Sequence, residues 1–118
     1  MAAPNLRVPS TITGKTAVAA LTTSLAAVVT NAAASGKVFK LNAIRAANVS
    51  VGTVSVDIAI ERSGTTTYVL KAGALDTGKS LIVTDKNEYI YLEEGDVLKA
   101  RASTSSSIDL SINYEEIG

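Results

Sequence analysis

The sequence predicts an all-β protein, an antiparallel β-sandwich of jelly-roll type with seven to eight short strands. Three observations carry this. Apolar and polar residues alternate with period two from Lys37 onward. Turn residues interrupt that alternation at short, regular intervals. No stretch repeats its apolar residues at the three-to-four spacing of a helix face. Small and β-branched residues (Ala, Thr, Ser, Val) are abundant, as packed strands favour.

The elements follow in order. Residues 1–16 hold both prolines, Pro4 and Pro9, and have no apolar period. Proline and its predecessor favour extended backbone, so this segment is expected as an extended N-terminal arm, with a single sandwich domain over 17–118. Between Ala17 and Ala34, alanines that favour helix mix with Thr22, Thr23, Val28, Val29 and Thr30, which favour strand. A strand near Ala19–Val29 is expected, then a loop over Asn31–Gly36. Phe39, Leu41 and Ala43 face one way against Lys40 and Asn42. Ile44 and Ala46 shift the phase across Arg45, as a bulge would. Over Thr53–Glu61, Val54, Val56, Ile58 and Ile60 face inward and Ser55 and Asp57 outward. Ser63-Gly-Thr65 turns the chain into a hairpin with Thr66–Lys71. Leu81–Asp85 and Tyr89–Leu92 are short strands. Glu93–Asp96 is a turn in which Gly95 supplies positive φ. Val97–Ala102 points Leu98, Ala100 and Ala102 inward. The closing strand, Ile108–Glu115, does the same with Ile108, Leu110, Ile112 and Tyr114.

Composition narrows the function. The chain has 118 residues and no His, Cys or Trp. Without His it lacks the commonest acid–base side chain, and Ser–His–Asp or Cys–His hydrolysis cannot be assembled. Without His and Cys, zinc, haem and iron–sulfur sites of the usual kinds are excluded. Eleven basic and eleven acidic residues leave a formal net charge of zero, which argues against a nucleic-acid partner. Aromatic residues make up 4%, too few for a base-stacking platform. No apolar run reaches the roughly 20 residues of a membrane span. Ala17–Val29 imitates the apolar core of a signal peptide, but Thr22, Thr23 and Ser24 interrupt it and a long, proline-bearing segment precedes it. Synthesis in a cytoplasm is therefore expected. A chain of this mass should fold to roughly 6,000 Å² of accessible surface, enough compaction for a core without disulfides.

One motif points to catalysis. Gly73-Ala-Leu-Asp-Thr-Gly78-Lys79-Ser80 matches the phosphate-loop pattern G-x-x-x-x-G-K-[ST]. In that motif backbone N–H groups cradle phosphates, the lysine reaches the terminal phosphates and the hydroxyl holds Mg²⁺. The pattern works only where a helix begins at the lysine. Here Leu-Ile-Val-Thr-Asp85 follows Ser80, a β-branched run five residues long. Gly73, Gly78, Lys79 and Ser80 are therefore read as a strand-to-strand turn, a decoy. Glu93, Glu94, Asp96, Glu115 and Glu116 match no dedicated cation loop and are read as solvated carboxylates. Tyr68, Tyr89 and Tyr91 are read as core or rim packing. No catalytic residue, metal ligand or cofactor is expected.

A run of sequence features extends from Thr22-Thr-Ser24 through Lys37-Val-Phe-Lys-Leu-Asn-Ala-Ile44, Val54-Ser-Val-Asp-Ile-Ala-Ile60 and Tyr68-Val-Leu-Lys-Ala-Gly73. It continues with Lys79-Ser-Leu81, Tyr91-Leu-Glu-Glu-Gly-Asp-Val-Leu-Lys99 and Ile108-Asp-Leu-Ser-Ile-Asn-Tyr-Glu-Glu116. Over roughly residues 22–116 this resembles the small β-sandwich virion proteins of tailed bacteriophages. The resemblance implies a structural part, in which Gly73–Ser80 is an ordinary inter-strand loop. The expectation is a non-enzymatic capsid decoration (cement) protein on the virion surface, stabilising the major-capsid lattice. Its partners would be the major capsid protein, further copies of itself, or both, with a homo-oligomer, a trimer first, in the particle. The partner-binding arm would be Ala2, Ala3, Pro4, Asn5, Leu6, Arg7, Val8, Pro9 and Ser10. The alternatives are a tail, neck or fibre component and, more remotely, nucleotide binding through Gly73–Ser80.

Overall fold

A computed structural model describes residues 4–118. They form nine strands: β1 (Ile12–Ala20), β2 (Ala26–Thr30), β3 (Val38–Asn48), β4 (Val54–Arg62), β5 (Thr65–Leu75), β6 (Ser80–Thr84), β7 (Ile90–Leu92), β8 (Val97–Ala102) and β9 (Ile108–Ile117). No helix occurs among the described residues.

Two sheets face each other. The first runs β1-β9-β3-β6, with β7 pairing a further stretch of β3; the second runs β2-β8-β4-β5. Every pairing is antiparallel. β6 pairs with Ile44–Ala47 and β7 with Phe39–Leu41, so the two act as one interrupted strand. Counted that way, eight strands fill two four-stranded sheets in jelly-roll order. Inward residues of both sheets meet in one core, with Leu41, Ile44, Leu110 and Ile112 from the first and Val56, Ile58, Leu98 and Ala100 from the second, all essentially fully buried. The accessible surface is 6369 Å², close to the value its mass predicts.

The β4–β5 hairpin is closed by Ser63 and Gly64, with φ of 51° and 79°. Two consecutive positive φ angles make a type I′ turn, whose twist matches that of the strands it joins. Gly95, with φ of 86°, turns the chain into β8 as expected.

Two expectations are corrected and two are refined. The strand expected at Ala19–Val29 is two strands in different sheets, divided at 21–25, where Leu21 is buried and the Ser24 N–H donates to Thr22 Oγ1. Thr22, Thr23 and Ser24 fall at that break, but threonines are also strand formers, so locally they read as part of one strand. The 1–16 arm is shorter than expected. Ile12–Thr16 belong to β1 and pair with Asn113–Ile117, while Thr11 exchanges backbone hydrogen bonds with Gly118. Within the remainder, Asn5 Oδ1 accepts the Arg7 N–H at 3.0 Å and Asn5 O accepts the Val8 N–H at 3.2 Å, so a tight turn replaces extended chain. The phase shift in β3 falls at Asn42 on the β9 side and at Ile44–Arg45 on the β6 side. Finally, Asp57 faces outward as expected, yet is only 9% exposed. Its backbone partners explain this: Val56 pairs with Gly73 and Ile58 with Leu70, leaving Lys71 and Ala72 as a bulge. Ala72 adopts φ of 53° and its freed N–H donates to Asp57 Oδ1 at 2.6 Å.

Candidate functional site

The phosphate-loop residues have structural occupations. Gly73 lies inside β5, where a Cβ would come within 2.8 Å of the Leu70 side chain, so the glycine makes room beside the bulge. Gly78 turns the chain with φ of 72°. Its N–H donates to Asn48 O at 3.2 Å, and the Lys79 N–H donates to Asp76 O at 3.1 Å. Ser80 opens β6, in the sheet opposite β5. The loop therefore crosses from one sheet to the other, two of its N–H groups are already spent, and no helix N-terminus meets it.

The carboxylates are likewise engaged. Asp96, almost fully buried, accepts from Arg62 Nε and Nη2 at 2.8 and 2.6 Å and from the Glu93 N–H at 2.8 Å. Burial disfavours its charge, but the Arg62 guanidinium outweighs that and holds the carboxyl below its usual range. Glu93 lies 2.8 Å from Arg62, and Glu94 accepts the Gly36 N–H at 3.1 Å. Glu116 pairs with Lys15 at 2.8 Å and Lys37 at 3.3 Å; the Lys15 hydrogen bond lowers its pKa. Among the described residues no group of three or more Asp or Glu is placed to hold a metal ion.

Tyr89 and Tyr91 meet edge to face at 5.2 Å, and Lys40 Nζ sits 4.3 Å from the Tyr89 ring centre. Burial, then the neighbouring Tyr89 hydroxyl, raise the Tyr91 pKa. Tyr68 lies on β5, in the other sheet, so the three tyrosines do not form one platform.

The informative contrast is between the two outer faces. On the second sheet every exposed charge near the centre finds a partner. Asp57 accepts from Arg101 Nε at 2.6 Å and Lys71 Nζ at 3.3 Å, and Lys99 pairs with Glu61 at 2.5 Å. Burial again disfavours the Asp57 charge, and its hydrogen bonds from Ala72, Arg101 and Lys71 overcome this and lower its pKa. The first sheet is different. Its registers place Val18, Ser111, Arg45 and Ile82 in one row across four strands, and Ala20, Asp109, Ala47 and Ser80 in the next. Val18 is 77% exposed and Ile82 56%. Small side chains between them leave a shallow groove of about 440 Å³, lined by Val18, Ala20, Arg45, Ala47, Asp109 and Ser111. Arg45 and Asp109 are diagonal neighbours on β3 and β9, yet neither has an ion-pair partner among the described residues.

Of the expected arm, Ala2 and Ala3 lie outside the described residues. Over Pro4–Ser10, Leu6 and Val8 are exposed apolar side chains. Sequence reading passed over Val18, Ile82, Arg45 and Asp109 as a site, because each lies on a different strand and only the register joins them. The polar-out alternation marked Asp109 as outward, and Arg45 only as the place where the phase of β3 shifts.

No protein-family model matches this chain, and no curated protein matches it.

Proposed function

We propose that this chain is a non-enzymatic structural protein of a virion, a decoration protein seated on a capsid lattice. The observation that carries the reading is the outer face of β1-β9-β3-β6: small, apolar at Val18 and Ile82, and uncompensated in charge at Arg45 and Asp109. A face of this kind suits a permanent neighbour. The jelly-roll topology adds support as a rigid scaffold whose faces and loops can change without loss of the core.

Stabilisation would work by mass action. A protein that binds the assembled shell and not its free subunits lowers the free energy of the shell. Repetition over symmetry-related sites lets modest affinity per copy suffice. The exposed Leu6 and Val8 make the Pro4–Ser10 segment a second contact, to the major capsid protein.

Cryo-microscopy of particles from the source tests the reading. Density for the jelly roll over the capsid lattice is the expected result; density confined to the tail, neck or fibres, or none on the particle, overturns it. Occupancy that survives deletion of residues 1–10 removes the arm from the contact.

A further inference from the structure

We infer that the outer edge of β1 pairs with β1 of a second copy, antiparallel and centred on Thr16, so that two copies of the first sheet join into one continuous sheet. This pairing does not depend on the virion reading.

The backbone leaves that edge open. Thr11 and Gly118 exchange both of their N–H to O bonds, and the Leu21 N–H donates to Ile108 O. Hydrogen-bonded pairs alternate along an antiparallel ladder, so Thr13, Lys15, Ala17 and Ala19 also bond to β9. Ile12, Gly14, Thr16, Val18 and Ala20 therefore turn their N–H and C=O groups away from the sheet. Among the described residues no strand lies on that side of β1.

The other three edges are blunted. Sheet edges are commonly guarded by short strands, bulges or charges. β2 has five residues and a register shift between Ala27 and Val29. β5 shifts register on both sides of Ile58. The edge beyond β3 is divided between β6 and β7. β1 alone runs straight, nine residues in unbroken register and without proline. Its single charge, Lys15, is drawn toward β9 by Glu116 at 2.8 Å.

The side chains select both the partner and the register. A strand paired with its own copy about a twofold axis sets i against j and j against i. Centred on Thr16, the pairing puts Ile12 opposite the partner's Ala20, Gly14 opposite the partner's Val18, and Thr16 opposite the partner's Thr16. Each large side chain meets a small one, and Thr–Thr is a favourable cross-strand pair. Lys15 falls opposite the partner's Ala17, so no like charges meet head on. Val18 is 77% exposed, and nothing lies within 4 Å of where a Cβ on Gly14 would sit, which leaves the room that the partner's Val18 needs. A slip of two residues one way crowds Val18 against the partner's Ile12. A slip the other way sets Gly14 against the partner's Ala20, and either slip leaves free edge groups unpaired. A foreign strand offers the backbone groups without this mirrored order of sizes. The twofold axis runs normal to the sheet, so the two outer faces, each with its groove, lie side by side on one surface.

Sedimentation of the full chain from about 1 µM to about 1 mM tests this, read with amide hydrogen exchange. The wild type should move from the 12.1 kDa monomer to a species of twice that mass, with midpoint at about 100 µM, as suits a small contact. The Gly14, Thr16 and Val18 amides should exchange at least about twofold more slowly at about 1 mM than at about 20 µM. T16K and T16E each set like charges directly opposite across the axis, and each should weaken the dimer at least about fivefold. A 1:1 mixture of the two sets opposite charges there and should recover the wild-type midpoint within about threefold. Thr16 is exposed and its backbone is not bonded to β9, so both variants should keep the wild-type far-UV circular dichroism. A wild type still monomeric at the highest concentration, a mass that settles at three copies, a dimer whose three amides stay unprotected, or a mixture that pairs no better than either variant overturns the proposal. Amides protected only when another protein is added mark a foreign strand as the occupant and overturn it too.

Discussion

Replacing Asp57 tests whether its carboxylate is structural, as its three donors imply. It lies on the outer face of β4, yet accepts from the Ala72 N–H at 2.6 Å, Arg101 Nε at 2.6 Å and Lys71 Nζ at 3.3 Å. In Asp57→Ala the bulge N–H of Ala72 loses its acceptor beside a residue held at φ of 53°. The bond is part-buried and Ala72 itself is exposed, so water replaces some of what is lost and the cost is about 1 kcal/mol. The Arg101 hydrogen bond is charge-assisted but the arginine is 34% exposed, which discounts it to about 1 kcal/mol. Lys71, 56% exposed, adds nothing measurable. The expected loss is about 2 kcal/mol, or roughly 10 °C in Tm. Asp57→Asn keeps an acceptor for Ala72 and removes only the charge, so it should lose about half as much. Urea unfolding followed by far-UV circular dichroism measures both. The native carboxyl titrates below its unfolded value of 3.8, so the unfolded chain binds more protons in that window. The stabilisation is complete above that pH and disappears as the pH falls through the native pKa; neither variant should show this segment of the acid limb. An Asp57→Ala loss under about 0.5 kcal/mol, or equal losses for both variants, would refute the assignment.

Three further outcomes are expected. Thr84 is buried and its Oγ1 has no hydrogen-bond partner among the described residues, so Thr84→Val should raise stability by about 1 kcal/mol in the same urea assay. Ser63 holds φ of 51° at the first position of the type I′ turn, where asparagine is at home; Ser63→Asn should raise Tm by a few degrees in calorimetry. Titration calorimetry with ATP and Mg²⁺ should register no binding at micromolar levels, for wild type and Lys79→Ala alike, because the Gly78 and Lys79 N–H groups are committed to Asn48 and Asp76.

Much of the fold was legible because alternation is a local signal. Val54, Val56 and Ile58 had to face one way and Leu98, Ala100 and Ala102 likewise, whatever their partners. Signals failed where the local chemistry was uniform. In Ala17–Val29 the break between β1 and β2 falls at Thr22, Thr23 and Ser24, whose β-branched threonines suit a strand as well as a turn and so did not divide it. Asp57 reads as a surface carboxylate because its burial comes from a bulge on another strand, fifteen residues away at Ala72. The phosphate-loop glycines illustrate the reverse case. Their spacing suggests chemistry, whereas Leu70 packing and a positive φ explain each of them.

The sequence by itself determined the all-β class, the inward faces of the strands from β4 onward, the hairpin turn at Ser63-Gly-Thr65 and the absence of His and Cys chemistry, since each depends on residues that are near neighbours in the chain or on composition alone. The tertiary structure decided which strands share a sheet. That choice brings Val18, Ser111, Arg45 and Ile82 into one row from four separate segments. It also pairs the charges of the opposite face with one another. A surface is a property of register, and register is fixed by long-range pairing under the demand that every inward residue be buried. No local window of the chain contains it.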